Sequence, residues 1–304
     1  MSDTAASLRR KIASAGELES VVRTMKAMAA AGIGQYENAV RSLEDYYRTV
    51  QLGLVACFRQ GEPAGAAMPA AQKETGPIGA VVFGSDQGLV GQFNDVMVEF
   101  VVNVLEGLPG NKTVWAIGER IQSRLADTDL LQGGRFILPN SISAITPLVG
   151  QILIEIEKQR EKGGVAHVYV FHNRPESGAI YTPVSQRLLP LDDAWRRDLA
   201  VIRWPTGHLP EVMNGGERTL LAFVREYLFV SLFRACAESL ASENASRLAA
   251  MQRAEKNIDE LLEDLNRAFH RLRQSGIDEE LFDVVSGFEA LTGPRQSKTQ
   301  AGRP

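Results

Sequence analysis

Both ends of this chain place apolar side chains at steps of three and four over far more residues than an ordinary helix uses. Towards the N-terminus Ile33, Tyr36, Val40, Leu43, Tyr47, Val50 and Leu54 keep that step, and towards the C-terminus Ile258, Leu261, Leu265, Ala268 and Leu272 do the same. Such steps return to one helix face, and a sustained seam of this kind needs a second helix to cover it. The spacing predicts helices over residues 4–58 and 216–291, against about 11–12 residues for a common helix. At about 1.5 Å per residue they would run roughly 80 and 110 Å if unbroken. Two seams of similar period, too long for one small domain to cover, predict that the terminal helices pack antiparallel, with Val22 and Met25 against the C-terminal segment.

The first helix opens with Leu8, Ile12, Ala15, Leu18, Val22, Met25 and Ala29 on one face. Gly32 and Gly34 follow, where a bend or a close helix contact is expected, since each glycine costs a helix about 1 kcal/mol relative to alanine. In the last segment, residues 220–240 are apolar on several sides, as in a helix packed on a domain. Ala237, Ala241, Ala245 and Ala249 then recur every four residues, and Ser275-Gly276 is expected to break the pattern.

Between the ends the period changes. The stretch 61–77 is rich in Pro, Gly and Ala and reads as a linker. Apolar runs at 78–83, 113–117, 135–138, 165–171 and 180–188 read as strands, with helical spacing at 94–105, 119–126 and 142–160. Alternation of this kind predicts a mainly parallel sheet covered on both faces. Residues 189–213 show no clear period and read as the route back. The expected division is an N-terminal coiled-coil helix (1–60), linker (61–77), central α/β domain (78–190), connecting loop (191–215), C-terminal coiled-coil helix (216–292) and tail (293–304). The fold class is α/β with a long antiparallel coiled coil.

The composition excludes some functions. A formal net charge of −4 gives no electrostatic reason to bind nucleic acid. The longest apolar runs, 78–83 and 227–233, fall far short of the roughly 20 residues that span a bilayer. Arg9, Arg10 and Lys11 are not followed by the apolar stretch of a signal peptide. Cys57 and Cys236, the two cysteines present, read as reduced buried thiols.

Sites for chemistry are sparse. The loop 84–91 follows a strand and precedes a helix, where phosphates can bind. It carries neither G-x-G-x-x-G nor the P-loop lysine, so a tight turn is the favoured reading. Ser85 beside Asp86 lacks the G-x-S-x-G elbow of a hydrolase. The odd separation of His167 and His172 puts them on opposite faces of one strand, against a shared metal. The basic residues Arg9, Arg10, Lys11, Arg23 and Lys26 suit solvent, or acidic groups of a partner. A coiled-coil scaffold with an α/β head and a nucleotide-dependent enzyme using loop 84–91 remain as alternatives.

Several stretches are family-specific. Arg10-Lys11-Ile12-Ala13-Ser14, followed by residues 21–31 (VVRTMKAMAAA), resembles the opening helix of the gamma subunit of F-type ATP synthases. Residues 241–251 (ASENASRLAAM) resemble that family's Ser-Glu…Arg…Ala-Met signature, with Asn257, Arg273-Gln274, Ile277, Glu280-Leu281 and Val285-Ser286-Gly287 in order behind it. Residues 84–91 resemble the family's loop after its first strand. Gln87, Val90, His270, Asp278 and Gly16 depart from the family's usual residues and mark a divergent branch.

The resemblance implies a rotor shaft without catalysis or cofactor of its own, and a Rossmann-like central domain. It implies as partners the alpha and beta subunits of a catalytic ring, the epsilon subunit and the membrane rotor-ring subunit c. It further implies a peripheral location on the cytoplasmic face of the cell membrane, through those partners. By motif position Met25, Lys26, Arg247, Arg273, Gln274 and Glu280 are the expected ring contacts.

Overall fold

The computed structural model describes residues 4–60, 76–176, 179–208, 210–212 and 216–292. Most of the expected linker and all of the expected C-terminal tail lie outside the described residues. Two compact units result, one of Met1–Thr24 with Gln252–Pro304 and one of Met25–Met251.

The unit Met25–Met251 holds a five-stranded sheet. Strands β1 (Ile78–Phe83), β2 (Lys112–Ile117), β3 (Leu131–Phe136), β4 (His167–Glu176) and β5 (Ala179–Leu189) lie in the order β3-β2-β1-β4-β5. All neighbours pair parallel except β4 with β5. Strand β1 sits in the middle and is buried along its whole length, which is why its sequence, IGAVVF, is apolar at every position rather than at every second one.

Successive side chains of each strand serve two different cores. Val81 and Phe83 of β1, Trp115 and Ile117 of β2 and Val168 and Val170 of β4 enter one core; the second takes Ala80, Val82, Val114, Ala116 and Phe171. The second core is closed by α2 (Phe93–Glu106) and α3 (Glu119–Leu125) through Met97, Val101, Leu105, Ile121 and Leu125. The first is closed by α4 (Ile142–Glu161), α5 (Asp193–Ala200) and the unit's shares of the terminal helices α1 (Ala5–Gln60) and α6 (Gly216–Thr292). Leu54, Val55, Leu232, Ala237 and Leu240 all reach it, and both cysteines are free and buried there.

The long helices pack together within each unit and run antiparallel. In the Met25–Met251 unit Tyr47 lies on Tyr227, with ring centroids 5.8 Å apart, and Tyr46 donates to Glu226. A Cβ added at Gly32 would stand 2.9 Å from Asn244 Oδ1, while one at Gly34 would meet nothing. Gly32 is thus a point of close helix contact, and neither glycine interrupts α1. In the other unit Arg23 pairs with Glu255 at 3.4 Å, and the Arg9 guanidinium lies 5.2 Å from the Phe269 ring centroid.

Four expectations need correction. Leu18, Leu261 and Leu272 are exposed at 58%, 49% and 37%; the half-buried positions are Glu19 and Leu262, one residue on, and Phe269, one turn back. Helix α6 runs through Ser275-Gly276 without a break, both residues facing open space or solvent where glycine is tolerated. Strand β3 starts earlier than 135, because Gly133-Gly134 hides its pattern: a Cβ at Gly133 would strike the Trp115 ring. The stretch 189–213 is not all loop. Helix α5 forms in it, with Asp192 capping its start by accepting from the Trp195 N–H at 3.0 Å.

Candidate functional site

The loop after β1 is a closed turn. Ser85 is fully buried; its hydroxyl donates to the Gln87 carbonyl (2.8 Å) and accepts from Asn94 Nδ2 (2.8 Å), while Asn94 Oδ1 accepts from the Ser85 N–H (3.0 Å). Asp86 Oδ1 takes the Glu119 N–H at the start of α3, at 2.9 Å. The groups that would act on a nucleotide or ester are spent on the turn itself. The turn also grips α6: Ser246 donates to the Val90 carbonyl (2.6 Å) and Ser242 to the Asn173 carbonyl of β4 (3.1 Å).

The six expected ring-contact residues occupy different settings. In the Met25–Met251 unit Met25 and Lys26 are half-buried on α1. Arg247 is 14% exposed and donates through Nη2 to Glu243 Oε1 at 2.6 Å, four residues earlier, where Glu243 is 6% exposed. Burial pushes the Glu243 carboxyl above its ordinary value, and Asp86 adds to that against the opposing pull of Arg247. Arg247 is therefore a packed ion-pair member rather than a solvated charge. Arg273, Gln274 and Glu280, in the other unit, are exposed.

In that other unit α6 outlasts its partner. Helix α1 begins at Ala5, and its Arg9 already faces Phe269. Beyond that point Ile277, Leu281, Phe282, Val284, Val285 and Phe288 are all exposed. A run of large apolar side chains exposed on one helix, here Ile277, Leu281, Phe282, Val284 and Val285 among the described residues, has the character of an interaction surface.

A buried ionic cluster has no counterpart in the sequence reading. On β4, His172 lies on the face turned to α1 and α6 rather than at the strand's edge, and its Nε2 is 2.7 Å from Glu238 Oε2 of α6. Arg174 Nε donates to the same oxygen (3.0 Å) and Arg234 Nε to Glu238 Oε1 (2.7 Å). Burial alone would raise the Glu238 carboxyl; the hydrogen bonds from His172 and Arg234 outweigh it and hold the group at about 2. Burial pushes His172 below its ordinary value, with Arg174 and Arg234 in support and Glu238 opposed.

A folded-state value below the unfolded one means that the unfolded chain takes up this proton first. Stability is lost as pH falls below about 6.5, by at most about 1.4 kcal/mol per pH unit. Urea midpoints of the full chain measured at pH 7.5 and 5.5 are expected to differ more for the native sequence than for His172→Gln; equal differences would refute the assignment.

Among the described residues no group of three or more His, Cys, Asp or Glu is arranged to hold a metal, and no helix is long and apolar enough to cross a membrane. The fold of the unit Met25–Met251 defines the class: a pair of packed antiparallel helices joined to an open, mixed five-stranded sheet. Comparison with known proteins agrees. The family described as ATP synthase matches residues 4–291. The ATP synthase gamma chain of Polynucleobacter asymbioticus is 24% identical over 289 residues, covering 93% of this chain and 98% of the relative. That of Clostridium botulinum is 30% identical over 219 residues, covering 69% and 71%. The fold is also like that of a chain in the rotor of the Euglena gracilis mitochondrial ATP synthase, with a TM-score of 0.63 at 14% identity, covering 90% of this chain and 98% of that one. The chain belongs to the ATP synthase family, as a homologue of its gamma chains.

Proposed function

We propose that this chain is the central rotor shaft of an F-type ATP synthase, a non-catalytic subunit that couples ion flow through a membrane sector to ATP synthesis or hydrolysis in a surrounding ring. The observation that carries the reading is the run Ile277, Leu281, Phe282, Val284 and Val285 of α6, large apolar side chains that are exposed among the described residues. A helix that leaves its partner behind and keeps large apolar side chains is built to be enclosed by another protein. Membership of the family and likeness to gamma chains over nearly the whole length of several relatives support it.

The partners are the alpha and beta subunits of the ring, the epsilon subunit and the rotor-ring subunit c. The chain reaches the cytoplasmic face of the cell membrane through them, as a peripheral protein. The strand order β3-β2-β1-β4-β5, with helices on both faces, supports a Rossmann-like central domain.

Met25, Lys26, Arg247, Arg273, Gln274 and Glu280 are the proposed ring contacts. An asymmetric shaft biases three chemically identical ring sites toward different states through unequal contacts. Arg273, Gln274 and Glu280 are exposed, so replacing all three by alanine is expected to leave the unfolding midpoint of the free chain unchanged and to lower ion pumping per ATP in the assembled complex. Unchanged pumping would remove those residues from the proposal. Failure of the native chain to co-purify with a catalytic ring would remove the shaft reading itself.

A further inference from the structure

Strand β4 outruns its central neighbour. Strand β1 pairs with it as far as Phe171, while β5 follows it on to Glu176, opposite Ala179. The arm made of 172–176 and 179–184 lies in the unit Met25–Met251. A two-stranded ribbon is marginally stable alone, so the arm depends on what it rests against. Towards α6, His172 and Arg174 both meet Glu238, and Ser242 donates to the Asn173 carbonyl. Towards α2, Asn173 Nδ2 donates to the Phe93 carbonyl (3.3 Å), and the Tyr181 and Phe93 ring centroids are 5.3 Å apart. Of these groups only His172 has an ordinary value between pH 5 and 8.

The closed joint accommodates one proton on His172, not two. A carboxylate only accepts, so Nε2 carries the hydrogen that goes to Glu238, and Nδ1 is a bare acceptor. Nδ1 is buried without a partner among the described residues, on a side chain 2% exposed. A hydrogen added there has nothing to donate to and no solvent in reach. It also brings a third cation, since Arg174 of β4 and Arg234 of α6 already share Glu238. The other elements at the cluster do not offset it. Strand β5 presents neutral Gln186, and α1 presents Tyr47, kept neutral by burial, and Glu44, which is exposed and screened by water. Burial and the two guanidiniums accordingly hold His172 below its ordinary value, against the pull of Glu238.

We propose that His172 and Glu238 form an acid-released latch: as the medium turns mildly acidic, the arm of β4 and β5 parts from α6 while the central strands stay paired. In the released arm His172 gives both ring hydrogens to water. A histidine that resists protonation in the closed state favours that state above about pH 6.5 and loses it below. One proton is taken up, so the ratio of open to closed arm rises about twofold by pH 6.5 and about tenfold by pH 5.5. Strand β1, with the sequence IGAVVF, carries no titratable side chain, so the middle of the sheet has no such release of its own.

The test is hydrogen exchange of the full chain, read by mass spectrometry as protection factors at pH 7.5, 6.5 and 5.5, with and without urea well below the unfolding midpoint. Amides of 172–176 and 179–184 are expected to lose about twofold and then about tenfold in protection as the pH falls. Their exchange is expected to respond little to the urea, because local opening exposes little surface, while that of 78–83 and 112–117 responds as global unfolding does. In His172→Gln, where the side-chain amide keeps a donor for Glu238 and does not titrate, the arm is expected to hold its protection across the three pH values. No loss in the arm by pH 5.5, an equal loss in His172→Gln, or arm exchange as sensitive to urea as that of β1 would each overturn the proposal. The first and last of these are read on the native chain alone, so they decide the matter even if the variant does not fold.

Discussion

Replacing Arg247 with alanine is expected to cost the folded chain about 3 kcal/mol at pH 7, and less as the medium becomes acidic. The replacement leaves Glu243, 6% exposed, without the guanidinium that neutralises it. Removing one member of a buried pair typically costs about 3–5 kcal/mol. The carboxyl has an escape, which is to take up a proton. That costs about 1.36 kcal/mol for each pH unit above its ordinary value, and with the ordinary value at 4.5 this route limits the loss at pH 7 to about 3 kcal/mol. A carboxyl whose folded value is raised destabilises the fold as pH rises, so the deficit of the variant should be larger at pH 8 than at pH 5. Urea unfolding at both values measures it. Adding Glu243→Gln should recover most of the loss, because the pair is then removed rather than broken. A deficit independent of pH, or no recovery in the double variant, would show that Arg247 acts through packing alone. Any coupling defect of Arg247→Ala in an assembled complex has to be read after this stability term is known.

Gly84→Ala is expected to be at least as damaging, about 3 kcal/mol or more, with failure to accumulate as folded protein the extreme outcome. The methyl group would overlap Ile121 Cβ and lie 2.8 Å from Asn94 Oδ1. A Cβ atom cannot turn aside by changing rotamer, since it is fixed to the backbone of α3, and Ile121 is fully buried. Asn94 cannot yield either without giving up its two bonds to Ser85. Gly34→Ala is the control: the added methyl meets nothing, and alanine improves helix propensity by about 1 kcal/mol. A Gly84→Ala chain as stable as the native one would mean that the turn after β1 is far more pliable than its hydrogen bonds imply.

Sequence legibility followed the range over which each signal acts. The seam from Tyr36 to Leu54 and the buried run of β1 were readable because their periodicity is local and repeated. The seam of α6 was displaced by one residue at Leu261 because Leu262 beside it is equally apolar, and at 3.6 residues per turn only the partner decides between them. Helix α5 was lost because eight residues hold too few turns to show a period, although Asp192, three residues before Trp195, was a usable cap signal. The loop 84–91 could be read as a turn from its missing lysine. The cluster of His172, Arg174, Arg234 and Glu238 could not be read, since its members are brought together across more than sixty residues of chain. The one local hint was Glu238 four residues after Arg234, inside a stretch otherwise packed with apolar side chains.

The antiparallel pairing of the ends also sets an order of events during synthesis. Arg9 meets Phe269, and Arg23 meets Glu255, 232 positions further on. At about 5–20 residues per second, the opening turns of α1 wait roughly 12–50 s after leaving the ribosome before the segment that covers them exists. Throughout that interval Leu8, Ile12 and Ala15 have no native cover within their own unit. The opening turns of the first helix to be made are thus among the last parts of the chain to be secured.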